Sequence, residues 1–204
     1  MDYISLDLET TGLNPKRDRI IEVGAVKVHK GEVAGEFQSL VNPGRELGEM
    51  VCGLTGINDE MLLDAPEIGD IIGPLLKFIG DDILVGHRVL FDYSFVKKAA
   101  VNHSLSFEKM GIDTLKLSRK LLPELESKSL ESVCKYYGIE HKAHRAIGDA
   151  RAASDLYQKL AGQFYQDNED EFRPKRLVYL AKKEGPVSKR QKERLYKLLD
   201  KHKL

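Results

Sequence analysis

Four carboxylates and one imidazole stand where they could share one piece of chemistry. Asp7 and Glu9 lie two positions apart in the run Tyr3 to Glu9, in which Ile4, Leu6 and Leu8 alternate with Ser5, Asp7 and Glu9. On a strand, residues i and i+2 point to the same face with α-carbons roughly 7 Å apart, so two acidic side chains of unequal length can converge on one cation. Asp92 follows Gly86-His87-Arg88-Val89-Leu90-Phe91 at the expected start of a helix. His144 and Asp149 frame the segment His144-Arg-Ala-Ile-Gly-Asp149. Residues five apart on a regular helix lie about 140° apart round its axis. Both can face one site only if His144 precedes the helix and Asp149 sits near its beginning.

Each feature has an ordinary structural reading. An acidic pair suits a solvated strand face, and an Asp at a helix start caps free amides and complements the dipole. Together they describe a definite device. Carboxylates can hold two divalent ions about 3.5–4 Å apart that clamp the attacking and leaving oxygens of a phosphodiester. Hard oxygen ligands suit Mg²⁺ or Mn²⁺ rather than zinc. A neighbouring His, with a reference pKa of ~6.5, is suited to take a proton from water near neutral pH. The other histidines, at 29, 87, 103, 141 and 202, lack such a setting and read as surface or capping residues, His87 being the one left open.

The elements that must position these groups follow from periodicity. Tyr3 to Glu9, Ile20 to Val28 and Glu36 to Val41 read as strands of an antiparallel meander, with a hairpin turn at His29-Lys30-Gly31. Gly53 to Pro66 reads as a loop-rich connection, Glu67 to Ile79 as a helix despite Pro74, and Ile83 to Val85 as a short strand. Asp92 to Val101, Ile112 to Leu122 and Leu130 to Tyr137 carry helical spacing, the last closed by Gly138. From Ala146 the residues Ala146, Ala150, Ala153, Tyr157, Leu160 and Phe164 recur every three or four positions, a narrow stripe of mostly small side chains expected to pack closely on a sheet. Gly148, which costs a helix about 1 kcal/mol against Ala, hints at a close backbone approach. The expected fold is α/β, a mixed five-stranded sheet flanked by helices.

The chain has 204 residues and a formal net charge of zero, which hides an asymmetry. Phe172 to Leu204 holds 12 Lys or Arg against 3 Asp or Glu, while the other 171 residues hold 20 against 29. An acidic body thus carries a basic C-terminal extension suited to phosphates or an acidic partner. Gln166 to Lys175 reads as a linker. Ser188 to Gln191 fits a capping box, and Leu195, Leu198 and Leu199 give a short helix one apolar edge. Two cysteines, Cys52 and Cys134, lack metal-site spacing and are expected to be free thiols. With no secretory signal and no apolar run of membrane-spanning length, a cytoplasmic protein without a membrane partner is expected.

The motifs, in their order, resemble those of the DEDDh exonucleases, most closely the group that includes the proofreading epsilon subunit of bacterial DNA polymerase III and the exonuclease domain of the PolC polymerases. The resemblance rests on Ser5-Leu-Asp7-Leu-Glu9-Thr-Thr-Gly-Leu13, on Leu84-Val-Gly-His-Arg-Val-Leu-Phe-Asp92 and on His144-Arg-Ala-Ile-Gly-Asp-Ala150, with Leu54-Thr-Gly-Ile57 and Asp113-Thr-Leu115 between them. It covers residues 1–165 and leaves 166–204 as an accessory tail. It implies a ribonuclease H-like fold and a 3′ to 5′ exonuclease releasing nucleoside monophosphates from a single-stranded DNA end. It also implies that Asp7, Glu9 and Asp149 bind the metals, that Asp92 supports the second one, and that His144 is the general base. Thr10, Thr11, Gly12 and Leu13 would cradle the terminal nucleotide, and His87 and Arg88 would border it. Relatives commonly carry Asn where this chain has Arg88, so Arg88 is expected to alter the substrate contact or add a phosphate clamp. Two alternatives stand beside this reading: an exoribonuclease trimming RNA 3′ ends, and a module binding nucleic acid or a polymerase through its tail with hydrolysis vestigial.

Overall fold

The computed structural model describes residues 2–141 and 143–185, and residues 194, 196 and 199 singly. Strand β1 (Tyr3–Thr10) pairs antiparallel with β2 (Ile20–His29), which pairs antiparallel with β3 (Glu32–Leu40). The β2–β3 hairpin turns through Lys30 and Gly31, both at positive φ (53° and 87°), the turn that suits the right-handed twist of paired strands. Helices α1 (Glu49–Thr55), α2 (Asp59–Leu62) and α3 (Ile68–Ile79) follow, so the connection expected to be mostly loop contains two short helices. The chain then returns through β4 (Ile83–Gly86), α4 (Val89–Asn102), β5 (Met110–Asp113), α5 (Thr114–Leu121), α6 (Leu130–Tyr137) and α7 (Ala146–Phe164). Strand β5 takes the head of the stretch Ile112 to Leu122 expected to be helical, and a short sixth strand, β6 (Lys175–Arg176), lies on its edge, so the sheet has six strands rather than the expected five, in the order β3-β2-β1-β4-β5-β6. Strands β1, β4 and β5 run parallel, so their carboxyl ends share one edge of the sheet.

The pleat of β1 divides the core. Ile4, Leu6 and Leu8 enter a cluster with Ile72, Leu75 and Ile79 of α3 and Tyr93 and Val96 of α4. Tyr3, on the opposite face, packs with Val26, Val85, Ile112 and the α7 residues Ala150, Leu156, Tyr157 and Leu160. The alternation in β1 predicts a wet face bearing Ser5, Asp7 and Glu9, and here the structure corrects the expectation. That face is roofed by α7: Ser5 is fully buried, and the Tyr3 hydroxyl lies 2.9 Å from Ser154 Oγ.

Two features seat α7. Gly24 of β2 lies against the backbone at the start of the helix, where a Cβ would come within 2.2 Å of the Ala146 carbonyl carbon and the Ile147 nitrogen. Beside it Glu22 is fully buried and accepts hydrogen bonds from Arg145 Nη2 (2.8 Å), from Arg145 Nε (3.2 Å to each oxygen) and from the Ala146 amide (3.0 Å). A buried carboxylate thus answers the positive end of a helix and one guanidinium together.

The segment 166–175, expected to be a linker, is packed. Its 3-10 turns (Tyr165–Asp167 and Glu169–Phe172) bury Phe172 against Tyr157. The expected tail helix rests on Ser188 to Gln191, Leu195 and Leu198, which lie outside the described residues. No helix among the described residues is long and apolar enough to cross a membrane.

Replacing Gly24 by Ala is expected to destabilise the protein by roughly 1–3 kcal/mol or more, since the added methyl meets backbone rather than a yielding side chain. Urea unfolding monitored by circular dichroism measures it, and an unchanged midpoint would show that α7 is not seated by this approach.

Candidate active site

Asp7 and Glu9 occupy the carboxyl half of β1, beyond the point where β4 stops. The β1–β4 ladder covers only Tyr3 to Ser5 against Ile83 to Val85, so the next stretch of β1 has no strand beside it on that side. Asp92 fills the notch. It lies in the first turn of α4, is 3% exposed, and its Oδ1 accepts the Leu8 amide hydrogen at 3.1 Å. The cap position of α4, which sequence left open to Asp92, is held by Arg88 in a left-handed conformation (φ 73°) with no side-chain cap bond.

From the other face α7 brings Asp149, in its first turn as the apolar stripe predicts. Asp149 Oδ2 accepts the Arg145 amide at 2.9 Å. Carboxylate oxygens of Asp7, Glu9 and Asp149 lie within 4.8 Å of one another. Residues separated by about 140 positions therefore meet at the strand end.

The electrostatics match such crowding. Burial, then the charges of Asp92, Asp149, Glu9 and Glu22, hold the Asp7 carboxyl well above the ordinary range. Burial pushes Glu9 up to about 7, with Asp149 and Glu22 adding to the effect and Arg145 opposing it. Asp92 is raised chiefly by burial, against the hydrogen bonds it accepts. Glu22 departs from this pattern. Burial would raise it too, but its bonds from Arg145, Ala146 and Gln38 prevail and hold it below the usual range. Glu22 is paired and structural, whereas at Asp7, Glu9 and Asp92 burial and the neighbouring acidic charges outweigh what Arg145 and the accepted amides offset.

The histidines divide differently from the expectation. His144 is exposed, in the turn before α7, with φ 66°. It is His141, read from sequence as a surface or capping residue, that reaches the cluster: its Nε2 lies 2.7 Å from Asp149 Oδ1, its side chain is 5% exposed, and its Nδ1 has no partner among the described residues. His87 is held at both nitrogens, Nε2 donating to the Lys128 carbonyl at 2.8 Å and Nδ1 lying 3.0 Å from Thr114 Oγ1. Burial depresses its pKa, so at neutral pH it is an uncharged tie between the end of β4 and the loop before α6.

The turn after β1 is closed on itself. Thr10 Oγ1 donates to the Gly12 carbonyl (2.7 Å), the Thr11 amide to the Arg19 carbonyl (2.8 Å), and the Arg19 amide to Thr11 Oγ1 (3.0 Å). This leaves Leu13 80% exposed on the turn that follows β1. An apolar side chain held out by a rigid turn can serve as a face for a planar ligand.

Comparison with known proteins agrees with this geometry. Residues 4–157 match the RNase_T model, described as Exonuclease. The chain belongs to this exonuclease family. It is 44% identical over 162 residues to the PolC-type DNA polymerase III of Bacillus subtilis and 38% identical over 170 residues to that of Staphylococcus aureus. These alignments cover 78% and 79% of this chain, which spans about a tenth, 11%, of those relatives' length. Among solved structures, Escherichia coli exonuclease I in complex with a dT13 oligonucleotide superposes with a TM-score of 0.74 at 21% identity, over 83% of this chain and 42% of that one. Exonuclease X in complex with 5′ overhanging duplex DNA gives 0.64 at 24% identity, over 79% and 92%. These two likenesses are likenesses of fold.

Within this exonuclease-family chain, sequence reasoning missed Glu22, Gly24, Arg145 and His141. The first two had a signal: a charge and a glycine interrupting the apolar run Ile20 to Val28, the mark of a pairing or a close approach. His141 had none, because its link to Asp149 depends on how the loop before α7 closes.

The raised carboxyls make stability depend on pH. Glu9 titrates near 7 in the folded protein and near 4.5 when unfolded, so between those values the folded state holds more protons and metal-free stability falls as pH rises. Without metal, the melting temperature is expected to be higher at pH 5 than at pH 8. Glu9→Gln should flatten the difference by roughly 1–3 kcal/mol, and Mg²⁺ should raise the pH 8 value more than the pH 5 value. Equal melting temperatures at both pH values would remove the excess repulsion.

Proposed function

We propose that this domain removes nucleotides from the 3′ end of single-stranded DNA by metal-dependent phosphodiester hydrolysis. The observation that carries the reading is the meeting of Asp7, Glu9 and Asp149 oxygens within 4.8 Å at the mouth of an open strand end, with Asp92 beside them. Carboxylates crowded beyond what Arg145 offsets fit hard divalent cations. Asp7, Glu9 and Asp149 would hold them, and Asp92 would support the second. Bound there, Mg²⁺ or Mn²⁺ would neutralise the carboxylates and stabilise the charge that develops on the scissile phosphate.

The remaining parts are supplied by the chain. Leu13, presented by the turn Thr10 to Gly12, lies against the terminal base, and Arg88 and the edge of the His87 tie border the nucleotide before it. His144 accepts the proton of the attacking water. Its place in the turn before α7 lets it swing toward Asp149 without disturbing the helix. His141 steadies the Asp149 carboxylate, so its removal acts on metal affinity more than on the proton transfer.

The names of the PolC relatives favour DNA over RNA and a role in proofreading or repair. The catalytic body is assigned to residues 1–165, and 166–204 to an accessory element for nucleic acid or a polymerase partner.

The direct test uses 3′-labelled and 5′-labelled single-stranded DNA and RNA with Mg²⁺, Mn²⁺ or EDTA. Early, metal-dependent release of the 3′ label from DNA is expected, and release of neither label under any metal would end the proposal. Asp7→Ala should abolish turnover while the protein stays folded. His144→Ala should lower kcat by about 10²–10⁴-fold at saturating metal, and His141→Ala should shift the metal dependence with a smaller loss in kcat. The reverse order of the two histidines would reassign the base to His141.

A further inference from the structure

The exonuclease family match ends at residue 157, yet the chain beyond it is built into the body. Phe172 is 1% exposed, and β6 pairs with β5. The Leu177 amide donates to the Lys109 carbonyl at 2.9 Å, and the Leu177 side chain lies over Gly111, where a Cβ would come within 2.8 Å of it. Farther on, Lys98, itself 9% exposed, donates to the Lys182 carbonyl at 2.7 Å and pairs with Glu184 at 3.2 Å. The Glu184 amide donates to Asn102 Oδ1 at 3.0 Å, and Glu184 also faces Arg19 of the turn after β1 at 3.4 Å. Residues 175–184 thus run as a strap from the β5 edge across α4 to the turn that carries Leu13.

The strap borders an open cleft of about 980 Å³. Pro15 of the Leu13 turn, Phe91 and Ser94 of the helix that bears Asp92, and His87 and Asp113 at the carboxyl ends of β4 and β5 all line it, so it lies along the strand ends on the side of α4. Arg88, Lys116, Arg119 and Lys128 line the rest. Among the described residues, Arg88, Lys116 and Arg119 are exposed and have no ion-pair partner. The one acidic residue of the lining, Asp113, spends Oδ1 on the amides of Arg88 and Leu115. Tyr179, half-buried on the strap, supplies an aromatic wall.

We infer that this cleft is the track for the single strand behind its 3′ end, with Arg88, Lys116 and Arg119 on successive phosphates and the strap residue Tyr179 stacking a base. A basic groove with aromatic faces is the chemistry that holds single-stranded nucleic acid without reading its sequence. The inference rests on the proposed hydrolytic reading and gives the C-terminal extension a share in the substrate site. Strand length is what the cleft senses: a dinucleotide ends before Lys116 and Arg119, and a longer strand does not.

Fluorescence anisotropy with labelled dT2 and dT20 in EDTA, where turnover is stopped, tests the track apart from the chemistry. The intact chain is expected to bind dT20 at least tenfold more tightly than dT2. In the double variant Lys116→Glu/Arg119→Glu the ratio should fall below threefold, with the salt slope shallower by roughly 0.7 for each phosphate that the variant no longer neutralises. Tyr179→Leu keeps an apolar side chain on the strap and should lower the ratio at least threefold without changing the melting temperature. A ratio unchanged in both folded variants overturns the track, whatever the hydrolysis assay shows. Failure of metal-dependent hydrolysis with the ratio behaving as expected would leave the track standing and sink the hydrolytic reading.

Discussion

Like charges brought together inside a protein repel, and the structure is organised around sustaining that repulsion at one point. Asp7, Glu9 and Asp92 all lose solvation, and each raises the cost of ionising its neighbours. In a chain free to relax, such groups would part. They stay because each is fixed by something other than its charge: Asp7 and Glu9 by the ladder to β2, Asp92 by the Leu8 amide, Asp149 by the first turn of α7. The resulting tension is of the kind that an entering cation would relieve.

The means are economical in residues. A four-residue β4 beside an eight-residue β1 leaves an unpaired amide for Asp92 to take. Across the sheet, Glu22 stands directly opposite Glu9 on β2 and shares its face, but Arg145 hydrogen-bonds the first and reaches the second only through its field. Two glutamates in one cross-strand pair therefore have opposite fates, the first locking α7 in place and the second left available. Gly24, two residues on, removes the side chain that would hold the helix away. The same short stretch of β2 determines how far α7 can approach and what it binds when it arrives.

Much of this was legible in the chain. Period-two alternation placed Asp7 and Glu9 on one face, and the stripe from Ala146 placed Asp149 at a helix start with His144 before it. Periodicity could not tell that the polar face of β1 is roofed, because Ser5 and Tyr3 are covered by α7, more than a hundred residues away. Nor could it show that Gln166 to Lys175 is packed: a polar run carrying a single Phe172 has no repeating pattern, and its burial depends on Tyr157 being in place. His141 escaped for a related reason, since contacts made by loop closure leave no spacing to read. The separation of Glu22 from Glu9 depends on Arg145, whose role is fixed only in three dimensions.

The charge asymmetry of the chain acquires a spatial meaning from the strap. An acidic body is a poor host for a polyanion, and divalent cations correct this only within a few ångströms of the carboxylates, because screening at physiological salt extends over about 8 Å. Farther along the strand the correction has to come from side chains. On the proposed track Arg88, Lys116 and Arg119 would provide it within the body, beside a wall to which the extension adds Tyr179. The strap then ends at Arg19 through Glu184, one of the few acidic residues of the extension, so that its anchor to the Leu13 turn, among the described residues, is an ion pair rather than a hydrophobic contact. An exposed pair of that kind contributes little to stability. What it supplies is direction: it brings the extension to the turn that bears Leu13 and fixes the course of the strap across α4.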